Sequence, residues 1–130
     1  MTATPPPPPP PQTPDAVPGQ EMTPADQRLW STLTHVGGIL FSWLAPLIAY
    51  LVLRDRGAFV RAHTATALNF QLTLLIVYIA VFLLTAISFG LLFFLAFVPG
   101  IIALIFGIIA AIAANKGEFY TYPLTIKFVS

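Results

Sequence analysis

Cysteine is absent from this chain, which excludes disulfides, thiolate metal sites and a cysteine nucleophile. Charge is nearly absent too. Charged residues make up 8% of the sequence, against about 25% in ordinary soluble domains. Between Leu29 and Ala114 the charges are Arg54, Asp55, Arg56 and Arg61, so no intramembrane carboxylate is available for proton-driven transport or acid–base hydrolysis. There is no Gly-rich phosphate loop and no nucleophile elbow, so no enzymatic activity is expected. The net charge of +1 and the lack of a basic, aromatic-interleaved face exclude a nucleic-acid partner.

What the chain does have is apolar length. Apolar residues are 57% of the sequence, too many for a water-exposed surface, and the runs flanking Arg54–Arg61 are of membrane-spanning length. The reading is an all-α, multi-pass integral membrane protein in the lipid bilayer. Three transmembrane helices are predicted at about 29–53, 67–89 and 91–114. Residues 1–22, with seven consecutive prolines from Pro5 to Pro11, are expected to form a disordered proline-rich arm with polyproline II character, and 23–130 the helical membrane domain.

Local signals place the ends. Thr23-Pro24-Ala25-Asp26 is a helix start: Thr23 can cap, Pro24 suits the first helical position, and Asp26 favours the positive dipole end. Gly37-Gly38 and Pro46 are expected bend points in the first span, which is straight or broken into two segments. Arg54–Gly57 separates spans one and two. Ser88-Phe89-Gly90 separates spans two and three, and Pro99-Gly100 is expected to kink the third. Gly117 suits a left-handed cap after Asn115 and Lys116. Phe119, Tyr120 and Tyr122 beyond it are read as an interface belt.

The positive-inside rule puts the Arg54–Arg61 loop and the C-terminal flank, with Lys116 and Lys127, in the cytoplasm and the arm outside. A re-entrant pair bent at Gly37-Gly38 would instead return the N-terminal side to the cytoplasm.

Helix faces carry the remaining information. Ala96, Gly100, Ala103, Gly107, Ala110 and Ala114 recur at spacings of four and three, a face that admits another backbone closely. Thr34, Gly38, Ser42, Ala45 and Ala49 form a similar series in the first span. Gln71, Tyr78 and Thr85 recur every seven residues on the second, where they either line a path or hydrogen-bond between helices. His63, Thr66, Asn69 and Thr73 form a second polar arc. His35 lies 18 residues before Leu53, ~27 Å in a straight helix at 1.5 Å per residue. The two histidines are therefore expected to lie apart, with no shared ion, and neither cofactor nor metal is expected.

Three phrases, Leu29–His35, Phe59–Gln71 and Asn115–Leu124, together resemble a bacterial membrane family grouped with the Tic-twenty-like proteins, over roughly Pro24–Phe128. The resemblance implies a small polytopic helical protein of the bacterial inner membrane without known enzymatic activity, and it marks His63, Asn69, Gln71, Asn115, Lys116, Gly117, Tyr122 and Pro123 as motif positions. Two functions stay open: an assembly or translocation-associated subunit that packs against itself or another membrane protein, and a small channel or transporter subunit with a path lined by the polar stripe.

Overall fold

The computed structural model describes residues 3–8 and 20–130. Residues 3–8, including the start of the proline run, are exposed and without regular secondary structure; the rest of the expected arm, 1–2 and 9–19, lies outside the described residues. Four α-helices follow: α1 (Pro24–Phe41), α2 (Leu44–Leu53), α3 (Ala58–Ile87) and α4 (Phe97–Asn115), with a 3-10 turn at Phe93–Ala96 leading into α4. No strand occurs among the described residues.

The expected first span is two helices. The break falls at Ser42, whose φ is 56°, and not at Gly37-Gly38 or Pro46. Gly37 has another use: a methyl group there would stand 2.9 Å from the Cβ of Ala45, so its bare backbone lets α2 fold back across α1. The reversal brings the two ends together. Met22 N–H donates to the Arg56 carbonyl at 2.6 Å, which puts residue 22 on the same end of the bundle as the arginine loop and corrects the expectation that they lie on opposite sides.

Two segments among the described residues are long and apolar enough to cross a membrane, α3 and Phe93–Asn115. In their most apolar stretches only 17% and 22% of residues are buried inside the chain. Core helices of soluble proteins are mostly buried, so these outward faces need an apolar solvent. Phe82, Ile87 and Ile101 are among the exposed side chains. Pro99 sits in the first turn of α4, where a missing N–H costs nothing, so the expected kink at Pro99-Gly100 is replaced by the 3-10 entry.

The terminal signals hold. Thr23 Oγ1 accepts from Asp26 N at 3.2 Å. At the far end of α4, Gly117 takes φ 79°. Its N–H bonds the Ala114 carbonyl at 3.1 Å, and Glu118 N–H bonds that of Ala113 at 2.9 Å. This paired arrangement satisfies two of the last orphan carbonyls.

Half of the small-residue face of α4 is spent inside the chain. Ala110 and Ala114 are fully buried, and a methyl on Gly107 would stand 2.6 Å from Ile39 Cγ1, so α4 lies close on α1. The core there joins Phe70, Leu74, Ala110 and Tyr122, with the Phe70 and Tyr122 rings stacked at 3.9 Å.

Candidate functional site

Beneath that core, α1, α3 and the segment after α4 meet in a chain of polar groups. α1 turns Gln27, Ser31, Thr34, His35 and Gly38 inward, one or two per turn along a single face. α3 turns His63, Asn69 and Gln71 inward. The Gly117 turn then reverses the chain, so that residues after it run back along α3.

His35 and His63 are hydrogen-bonded, Nε2 to Nδ1, at 2.9 Å. The separation expected from a straight first helix is thus overturned, because the Ser42 reversal returns α1 to the loop end. His35 Nδ1 lies 2.6 Å from the Tyr122 hydroxyl, and His63 Nε2 lies 2.7 Å from the Glu118 carbonyl. A carbonyl only accepts, so His63 Nε2 carries its proton. With neutral rings every other role follows: His35 Nε2–H donates to His63 Nδ1, and Tyr122 O–H donates to His35 Nδ1. Burial, with Tyr120 adding to it, raises the Tyr122 hydroxyl above the ordinary phenol range, which keeps it a donor. Both imidazoles are 1% exposed. The relay has one direction and ends on a backbone carbonyl, so it locks three segments together and offers no exit for a proton.

Tyr122, expected in an interface belt, is 4% exposed and belongs to this lock, while Phe119 is exposed. Pro123 follows it on the exposed outside of the turn.

Asn69 holds the last described residues. Its Oδ1 accepts from Phe128 N and Val129 N, both at 2.8 Å, and its Nδ2 donates to the Val129 carbonyl at 2.8 Å. Thr73 Oγ1 accepts from Ile126 N at 3.0 Å. Tyr50 and Arg61 both donate to the Ser130 carbonyl. An extended segment beside apolar helices would otherwise leave its backbone unpaired, which is costly away from water.

Gln71 serves the helix break: its Nε2 donates to the Gly38 carbonyl at 3.0 Å, one of the last carbonyls of α1, which have no intrahelical partner. The expected stripe of Gln71, Tyr78 and Thr85 divides. Gln71 and Tyr78 line a cavity of about 280 Å³ with Gly38, Ser42 and Gly100, whereas Thr85 lies at the α3 C-terminus, where its carbonyl accepts from Gly90 N. Gly100 admits the Tyr78 hydroxyl, which stands 3.4 Å from where a Cβ would be. Asn115 and Lys116 close α4 and remain exposed. No cluster of three or more metal-ligating side chains occurs among the described residues.

Sequence reasoning allowed a reversal in the first span but placed it at Gly37-Gly38 and not at Ser42, and it missed the histidine pair and the docking of residues 118–130. The inward run of Gln27, Ser31, Thr34 and His35, polar residues three and four apart in an apolar span, was the available sign of a buried polar face.

An apolar exterior around a polar, internally bonded centre defines a small all-helical membrane protein. The chain belongs to the MamF/MmsF family, the magnetosome magnetite crystal formation protein family, whose model matches residues 26–129. That match corrects the Tic-twenty-like resemblance; the phrases behind it lie within the matched residues. No curated protein and no solved structure matches the chain.

Proposed function

We propose that the protein is a non-enzymatic structural subunit of the membrane in which magnetite crystals form, acting by packing its helices against a second copy of itself or another membrane protein. The observation that carries this reading is an uncovered groove between α1 and α2. Trp30, Leu33, Ala45, Ile48, Ala49 and Val52 are among the residues lining about 430 Å³ there. In lipid, apolar surface alone does not drive association, because the tails are equally apolar; close backbone approach does. The Gly107–Ala114 face of α4 is already used against α1, while Ala45 and Ala49 face the open groove.

The absence of cysteine makes the test clean. Ala49→Cys, oxidised in native membranes, is expected to give a disulfide-linked dimer, or a defined adduct to one partner, while Ile87→Cys gives neither. Monomer alone from both variants would sink the reading.

Orientation follows the same end of the bundle. Arg28 lies against Gly117, Arg56 donates to the Gln20 carbonyl, and Lys127 lines a cavity beside Ala62 and Thr66. With Arg54, Arg61 and Lys116, all six basic residues gather there. Positive-inside puts that end in the cytoplasm. Reporter insertions are expected to read inside at Gly57 and outside at Gly90; the reverse pattern would refute the assignment.

A second reading rests on the cavity of Gln71, Tyr78 and Ser42. As a path for a small solute it predicts flux through liposomes, abolished by Gly100→Leu. Absence of flux from an oligomeric preparation excludes it.

A further inference from the structure

The basic end of the bundle also holds a cavity that neither the packing groove nor the histidine lock uses. It is an open cleft of about 640 Å³ where the N-termini of α1 and α3 meet the C-terminal turn of α4, and Glu21, Gln27, Arg28, Phe59, Lys116 and Phe119 are among the residues lining it. This is within the usual range of small-ligand sites. Its walls have two characters. Phe59 and Phe119 meet edge to face, with ring centroids 5.3 Å apart, and form an apolar side. Arg28 and Lys116 bring two positive charges, and Glu21 one negative charge.

These charges are not spent on one another. The ion pair among the described residues is Arg54–Asp55, and no side-chain hydrogen bond of Arg28, Lys116 or Glu21 occurs among them. Gln27, by contrast, is fully used: it donates to the Met22 carbonyl and accepts from Val60 N. Gly117 keeps the Arg28 stem at the cavity. Its φ of 79° is the left-handed turn, and a Cβ there would stand 3.1 Å from Arg28 Cδ, so the arginine lies across the bare backbone.

The place matters as much as the residues. The starts of α1 and α3 and the end of α4 stand together at the basic end of the bundle, which the orientation proposed above sets at a membrane boundary; at headgroup depth its phenylalanines would meet acyl chains. Guanidinium and ammonium groups recognise phosphate oxygens, and a carboxylate recognises a primary ammonium.

We infer that this cavity is a binding site for a phosphate-bearing headgroup, specifically that of an aminophospholipid, with the phosphate on Arg28 and Lys116 and the ammonium on Glu21. A zwitterionic headgroup satisfies both signs of charge. A purely anionic one leaves Glu21 facing it, and a quaternary ammonium has no N–H to donate to the carboxylate. The site is independent of what occupies the α1/α2 groove.

The test uses the full chain in mild detergent, with lipid retention read by native mass spectrometry. The probes are phosphatidylethanolamine, phosphatidylglycerol, phosphatidylcholine and inorganic phosphate. Phosphatidylethanolamine is expected to be retained above the other two lipids. The double variant R28Q/K116Q is expected to lose its retention about tenfold, as removal of charge-assisted hydrogen bonds does. E21Q is expected to erase the preference for phosphatidylethanolamine over phosphatidylglycerol while phosphatidylglycerol is still held. All three side chains are exposed, so the variants keep the fold, checked by helical circular dichroism. Unchanged retention in R28Q/K116Q overturns the site. Displacement of bound lipid by inorganic phosphate overturns the lipid assignment and makes the cavity a free-anion site. Equal retention of the three lipids by the unaltered chain overturns the role of Glu21.

Discussion

The two ends of the bundle are built differently. At the basic end, α1, α3 and the segment after Gly117 are tied by side-chain hydrogen bonds from Gln27, His35, His63, Asn69 and Tyr122. At the other end, the turn from Ile87 to Phe97 is held by backbone bonds and the Ser88 hydroxyl, with Phe89 almost wholly and Leu91 largely exposed. Hydrogen bonds specify one arrangement because each has one geometry, while apolar contact tolerates many. Specificity in this protein therefore sits at the basic end, and the far end supplies length and a lipid-facing surface.

That contrast can be broken most strongly at the histidines. His63→Ala removes a buried ring and strands both the His35 N–H and the Glu118 carbonyl, so it should cost about 3 kcal/mol, read as a lower unfolding midpoint in detergent. Asn69→Leu keeps the branched shape but removes three bonds. It should cost about 2 kcal/mol and speed hydrogen exchange at Phe128 and Val129, while exchange in α4 stays slow. Gly107→Ala pushes a methyl onto Ile39 and should cost about 1 kcal/mol by separating α1 from α4. At the far end Thr85→Val, whose backbone carbonyl alone serves the turn, should change stability by less than about 0.5 kcal/mol. If Thr85→Val matched His63→Ala, the division between the two ends would be wrong.

The parts legible in the sequence were those set locally. Thr23, Pro24 and Asp26 mark a helix start because capping needs only neighbouring residues, and Gly117 marks an end because a left-handed φ favours glycine. α3 and α4 were visible as apolar lengths interrupted by charge or by Ser88–Gly90. The break at Ser42 was not visible. Serine has no special tolerance of φ 56°, and a strained residue of this kind persists only because its surroundings hold it; here Gln71, from another helix, takes the freed Gly38 carbonyl. Nor was the course of residues 118–130 visible. An extended segment shows no periodicity when its partners, Asn69 and Thr73, are distant in sequence.

Composition alone pointed to a membrane, because so few charges cannot cover a soluble surface. Positive charge near Arg54–Arg61 and after α4 put the start of α3 and the end of α4 at one end, since charged residues avoid the bilayer core, but it placed the start of α1 at the other. Only the tertiary structure decided that the first apolar run turns back on itself. That reversal carries His35 to His63, far apart along the chain, and the pair is held because buried polar groups away from water gain from partners within the protein; it also sets Arg28 at the same end as Lys116.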